Sequence, residues 1–520
     1  MCYNDFKKNH RSTPTTGRSR RRAKYGFRER NFHNEKESLV FPYPVRAYPC
    51  FLRERRRRPN VTAETPETTT EAPETEPEYI YPDKDYEGHE FVFLNLDTCG
   101  WANRLCVPEE TTGDLINDEM YERNARVGDR FNVTFSEITA TKDELSKLIR
   151  TAVTAGDDVY DAAFCPVDNI SALMSDGILT DLLKVSSLNL SEAWWDNDVI
   201  EAGTINDKCY LASSDITFFP FEATWIIYFN EDRFDALNIA YPYDDVRSGK
   251  WTLDKFYELC QSGASLNGQD SYKYDENSVT ADYGIVTHNQ CVQSMMFGAG
   301  ETLISTKDGK PVFSGESDRV YGVFEKIAKI FGTDGVCLDR DKIGAADTDA
   351  KPFARTAFRT GHFMFMSETL GHIAGLRDFD GNFGVLPLPK YDEKQESYHS
   401  MMASWGTLMT TIPASASDPE RSGVILDALA FDSYKNLMEP YYDTYLNQKG
   451  ARNEDSAEML RIIRDTRIIN VGRMFGWTEG VLNSIASLVE KGDASVASAI
   501  AKAKPSIEKN IDKTLAAMAE

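Results

Sequence analysis

From residue 90 the apolar positions follow an orderly alternation. EFVFLNL (90–96) is a short, almost continuously apolar run, the pattern of a strand buried on both faces. Ile116, Met120, Asn124 and Val127 then fall on one side of a helix over 114–127, and NVTF (132–135) reads as a second strand. TKDE (141–144) has the T-x-x-E form of a capping box. It opens a helix in which Leu145, Leu148, Ile149, Ala152 and Val153 make a complete stripe of 3.6-residue period. DVYDAAF (158–164) supplies a third strand, and NISALMSDG (169–177) a short helix stopped by Gly177. The order β-α-β-α-β-α predicts a doubly wound α/β lobe.

Beyond residue 225 the pattern turns mostly helical. Thr252 is placed to cap LDKFYELC (253–260), with Leu253, Phe256, Tyr257 and Cys260 inward. Val320, Phe324, Ile327 and Phe331 mark another helix, and the last hundred residues read as four or five more. HFMFM (362–366) and FGVLPLPK (383–390) interrupt this pattern, the second with two prolines that bar a regular interior strand. Both are expected to return the chain to the first lobe, so that several strands cross between lobes and form a hinge.

In open α/β sheets ligands sit beyond the carboxyl ends of the strands. The first strand ends at Asn95-Leu96-Asp97 with Trp101 close behind, and the third at Cys165-Pro166-Val167-Asp168. Carboxylates accept paired hydrogen bonds from neighbouring hydroxyls, and an indole covers the apolar face of a sugar ring, so Asp97, Trp101 and Asp168 are candidate ligand residues. Helix capping is the competing role for both aspartates. Tyr210 and Asp215 in CYLASSDITF, Ser367 and Glu368 after HFMFM, Trp405 in MMASWGTLM and Trp477 in RMFGWTEG are further candidates. Half-buried packing is the competing role for each tryptophan. SLNLSEAWWDND (187–198) sets Trp194 beside Trp195, and adjacent residues cannot share one face of a helix or strand. One ring is expected to pack on the sheet and the other to lie toward the rim.

Charge changes the picture in two places. The formal net charge is −24, yet residues 1–60 hold 17 Lys+Arg against 5 Asp+Glu, which leaves −36 on the rest. So acidic a body repels nucleic acid and anionic lipid and tolerates neutral or cationic ligands. The basic head, with RSRRRAKYGFRER and RERRRRPN, shows no amphipathic period and no signal-peptide core. It is expected to be disordered or to reflect a shifted frame or wrong start that replaced an export signal. VTAETPETTTEAPETEPE (61–78) has almost nothing to bury and reads as an extended linker, with the folded body beginning near Glu87. The nine cysteines form no CxxC and no Cys/His cluster, which favours isolated thiols, although Cys99 and Cys106 could pair across a short loop. No metal or cofactor is indicated. DGK (308–310) and DFDGN (378–382) lack the full spacing of a calcium loop.

Several segments resemble a family, the extracellular solute-binding proteins of ABC importers, whose best-known members bind sugars. NDEMYERNARVGDRFNVTF (117–135) is similar to the family's N-D-x-Y-x-R-N helix followed by an N-V strand. YDAAFCPVDNISALMSDGILTDL and LNLSEAWWDNDVIEAGTINDKCYLASSDI resemble its next segments. IIYFNEDRF (226–234) resembles its first hinge crossing, with Glu231 where Lys is usual, and SGKWTLDKF and FGVLPLPKYDE match two more. The resemblance covers about 88–520 and departs from the family only at the head.

The resemblance implies an α/β, two-lobed periplasmic-binding-protein-like fold with a multi-strand hinge, doubly wound sheets and a helix-rich second lobe. Phe229, Asn230 and Met366 fall at its hinge. The expected division is a head (1–60), a linker (61–86), a first lobe (87–225 and 361–412) and a second lobe (226–360 and 413–520). The implied function is capture of a small solute, an oligosaccharide first of all, for delivery to a membrane permease by a monomer lipid-anchored on the outer face of the cell membrane. Peptides and polyamines stay open as ligands. No GxSxG, HExxH or P-loop occurs, and the seven histidines are scattered. Carboxylates are abundant enough that a carbohydrate-active enzyme with a glycosidase-like pair remains an alternative, as does a surface adhesin.

Overall fold

The computed structural model describes residues 79–97, 106–275, 278–307, 309–345, 353–376, 379–403, 407–438, 440–441 and 454–518. Its strands are β1 (His89–Leu96), β2 (Val133–Ala140), β3 (Ala162–Pro166), β4 (Trp225–Asn230), β5 (Tyr283–Thr287), β6 (Ile304–Lys307), β7 (Lys310–Phe313), β8 (Cys337–Asp339), β9 (Phe363–Thr369), β10 (Phe383–Leu386), β11 (Ser400–Met401), β12 (Leu408–Thr411) and β13 (Arg467–Ile468). The first sheet has the order β12-β3-β1-β2, with β1, β2 and β3 parallel and β12 antiparallel at the edge. The second has the order β10-β4-β9-β5-β8, in which β10, β9, β5 and β8 run in one direction and β4 runs antiparallel between β10 and β9.

The first lobe follows the predicted alternation. Helix α1 (Leu115–Phe131) buries Ile116, Met120, Asn124 and Val127. It ends where Asn132 turns left-handed (φ 52°) and leads straight into β2. Thr141 and Glu144 form the capping box of α2 (Lys142–Ala155), which buries Leu145, Ile149 and Ala152. α3 (Val167–Ser175) stops before Gly177, whose φ of +66° suits a residue without a side chain. The motif residue Arg123 is fully buried and works as a clamp. Its guanidinium donates to the carbonyls of Ile216 (2.7 Å) and Cys106 (3.0 Å) and to Ser433 (3.0 Å), tying three distant segments to α1.

In the second lobe Thr252 accepts from the Lys255 amide and caps Leu253–Gly263 as predicted. Val320, Phe324, Ile327 and Phe331 are buried on the helix Asp318–Gly332. β10 is an edge strand that ends before Pro387, as the prolines require.

Three expectations are corrected. HFMFM does not rejoin the first lobe: as β9 it pairs with β4 and β5 inside the second sheet, and β10 follows it there. An all-apolar strand fits either sheet, so its pattern could not choose. The helix Pro419–Asn436, assigned above to the second lobe, packs on α1, where Arg126 pairs with Asp432 at 2.6 Å. Ordered packing also starts ahead of Glu87. Tyr79 stacks on Phe431 (centroids 5.0 Å) and meets Trp194 edge-on.

Trp194 and Trp195 are both buried, so neither ring reaches the rim. Their indole N–H groups converge on one oxygen of Asp427, at 2.9 and 2.8 Å, and Asn189 donates to the other at 2.6 Å. The paired tryptophans are framework. The six described cysteines are free thiols. Cys106 is among them, and Cys99 lies outside the described residues.

Candidate ligand-binding cleft

The carboxyl ends of β1, β2 and β3 and those of β5, β8 and β9 are brought to the same stretch of chain. At the start of β4, Thr224 bridges to Met402, and the Ala403 amide donates to Ala223 at 2.8 Å. Four residues on, the Thr407 carbonyl accepts the Val167 amide at 2.9 Å, at the carboxyl end of β3. Ala403 and Thr407 are therefore attached to the ligand-side edges of the second and first sheets, the position that the rule for open α/β sheets assigns to a binding crevice.

On the first lobe, Asp97 follows β1, is partly buried, and donates its amide to the Ala140 carbonyl (2.9 Å) at the end of β2. Next to it Asn95 is 1% exposed and donates to Glu137 at 2.6 Å. Burial pushes the Glu137 carboxyl up, against hydrogen bonds from Asn95 and the Cys106 and Val107 amides. Asp168 lies in the first turn of α3, its side chain outside the described residues. Trp101 and Trp405 also lie outside them.

On the second lobe, Glu368 sits near the end of β9 and is buried. Its two oxygens face His288 (3.4 Å) just after β5 and His372 (3.6 Å). Burial alone would raise its carboxyl, but the imidazoles of His372 and His288 and the Arg340 guanidinium outweigh it and hold it at about 2. Burial pushes the His372 imidazole down, against the pull of Glu368. Trp225 opens β4 and lays its ring 5.2 Å from that of His288. Asp339 closes β8 beside them. A carboxylate held ionised between imidazoles, with a second carboxylate alongside, is an acceptor-rich surface suited to hydroxyl or amine donors.

The other predicted residues lie elsewhere. Asp215 is 3% exposed and engaged by Arg464 (2.5 Å) and Arg467 (3.7 Å). Its carboxyl is lowered: burial raises it, and the two guanidiniums more than offset that. Trp477 is buried, stacked on Phe475 and hydrogen-bonded to Thr514 at 3.1 Å. Tyr210 is half-buried against the core, and burial with Asp181 nearby pushes its hydroxyl up. Phe229, Asn230 and Met366 are core residues of the second sheet, farther along their strands than the Thr224 crossing; the Asn230 side chain caps the helix Glu231–Leu237.

Sequence reasoning passed over His288, His372, Asp339 and Trp225. Their signal was available. YGIVT-H and CLD are short apolar runs that end on a polar residue, the signature of a buried parallel strand presenting its carboxyl end.

No family profile matches the chain, and no curated protein sequence matches it. Solved structures do. An ABC substrate-binding protein of Listeria monocytogenes in complex with cycloalternan is 13% identical over 82% of this chain and 99% of that chain, with a TM-score of 0.52. Apo RafE of Streptococcus pneumoniae is 18% identical over 82% and 100%, with a TM-score of 0.52. A galacto-N-biose/lacto-N-biose I-binding protein of a Bifidobacterium longum ABC transporter, in complex with lacto-N-biose, is 12% identical over 83% and 99%, with a TM-score of 0.54. At these identities the likeness establishes the fold, that of the two-lobed solute-binding proteins.

Proposed function

We propose that this chain is the extracellular substrate-binding component of an ABC importer. It captures a small solute, an oligosaccharide, between its lobes and delivers it to a membrane permease. The observation that carries this reading is the attachment of Ala403 and Thr407 to strand carboxyl ends of two sheets, in a fold shared with proteins that bind sugars in this class of transporter. Asp97, Asp168, Trp101 and Trp405 form the first-lobe wall and Glu368 the second, with Tyr210 at the margin. Asp215 and Trp477 support them through the arginine pairs and the C-terminal helix. Ligand contacts to both lobes favour the closed state by their difference in free energy between states. The protein binds without turnover, acts as a monomer, and is held at the outer face of the membrane by its Thr/Glu/Pro linker. Among the described residues no helix is long and apolar enough to cross a membrane.

The test is thermal unfolding of the full chain against oligosaccharides, peptides and polyamines. A ligand at 100 times its Kd adds about 2.7 kcal/mol, a shift of several degrees. A shift with one glycan class and no product overnight supports the proposal. No shift with any solute moves the weight to an adhesin, and glycan cleavage moves it to a carbohydrate-active enzyme.

A further inference from the structure

Next to the carboxyl ends of β8 and β5, two buried carboxylate oxygens have no hydrogen-bond partner. Glu368 Oε1 lies 3.4 Å from Nε2 of His288. The second nitrogen of that imidazole is Nδ1. That Nδ1 is buried without a hydrogen-bond partner, in a residue 8% exposed. Asp339 stands on the adjoining strand, in register with Thr287, the residue before His288. It is 2% exposed; Oδ1 accepts the Asp341 amide at 2.9 Å, and Oδ2 has no partner. Glu490 Oε1, within charge range of Asp339, is likewise buried and unpartnered. The two loops are fastened together by the Asn289 amide on Asp341 at 2.9 Å. Arg340 directs its Nε and Nη2 onto Asp341 at 3.2 and 3.0 Å.

Leaving a buried acceptor without a donor costs about 1–3 kcal/mol. Two unpartnered carboxylate oxygens at this corner therefore point to a donor that arrives with the ligand. Burial raises the Asp339 carboxyl, as expected of an anion short of donors.

We propose that Asp339 Oδ2 and Glu490 Oε1 form a subsite for a protonated amine, so that the captured solute is an amine-bearing saccharide. This rests on the solute-binding function proposed above. An ammonium supplies three N–H donors and no acceptor. A hydroxyl brings one donor and no charge. The charge also matches, because Asp339 and Glu490 lie close enough to repel each other. Trp225, beside His288, backs the site with an apolar ring.

The test is calorimetric titration of the full chain at pH 7 with a glucosamine tetramer, its N-acetylated counterpart and maltotetraose. The amine form is expected to bind at least about 10-fold tighter than the acetylated form. Asp339→Asn should weaken the amine form by about 10-fold or more and leave the others unchanged. Equal affinities, or a loss in Asp339→Asn shared by all three sugars, overturn the subsite. Binding of neutral sugars alone also overturns it and leaves the proposed function standing. Binding of no solute overturns both. If Asp339→Asn fails to fold, the amine-to-acetyl ratio of the native chain decides.

Discussion

Two buried carboxylates, one in each lobe, have opposite surroundings. Asp427 is fully buried and saturated by neutral donors: both adjacent indoles and the side chain and amide of Asn189. Asp339 is nearly as buried and has one backbone donor and an oxygen with none. Burying a polar group is tolerable when its hydrogen bonds are made and expensive when they are not. A saturated carboxylate has finished its work when the chain folds, and one left short still has a bond to make. On this ground the paired tryptophans, the most conspicuous sequence feature, are framework, and the inconspicuous corner at Asp339 is where the proposed subsite lies.

The largest effect should come from emptying the saturated box. Asp427→Ala strands two indole N–H groups and the Asn189 donors, and is expected to cost about 5 kcal/mol in urea unfolding without altering ligand affinity in whatever fraction stays folded. Asp215→Asn should follow at about 4 kcal/mol, since it leaves the buried guanidiniums of Arg464 and Arg467 short of their counter-charge.

Glu368 gives a pH signature. Its folded-state carboxyl is held at about 2, below the ordinary 4.5. Its stabilisation is therefore complete above pH 4.5 and lost as pH falls toward 2. Denaturant melts between pH 5 and 2 should show an acid limb that Glu368→Gln flattens by about 3 kcal/mol. Trp194→Phe removes one of the donors to Asp427 and should cost about 1 kcal/mol. The smallest change sharpens the contrast most: Asp339→Asn, which removes no satisfied side-chain bond except its helix cap, should shift stability by under about 1 kcal/mol. A loss there as large as that of Asp427→Ala would erase the distinction between the two carboxylates.

Much of the first lobe was legible because its signals are local. The capping box Thr141–Glu144, the stripe from Leu145 to Ala152 and the stop at Gly177 each lie within a few turns of chain, and each appears where periodicity placed it. The second lobe was less legible because its sheet is built from non-local pairings. β9 is apolar on both faces, so nothing in FMFM says which sheet receives it. The Trp194–Asp427 and Trp195–Asp427 bonds span 233 and 232 residues, beyond any window. One hint existed: the helix Pro419–Asn436 is buried from Ser422 to Ser433 and still contains Asp427 and Asp432, and acids on so apolar a helix need partners. Asp97 and Glu368 lie at or near strand ends, as their places after EFVFLNL and HFMFM suggested, whereas Asp215, named for its place just before the first crossing, is held by two arginines.

The central claim is that one ligand touches the strand ends of both sheets. Hydrogen–deuterium exchange of the full chain, with and without a saccharide that raises its unfolding temperature, tests it most directly. The account predicts ligand-dependent protection at 96–97, 139–141 and 166–168 in the first lobe together with 287–289, 339–341 and 368–372 in the second. Protection confined to one of these sets, or falling on neither, would contradict it.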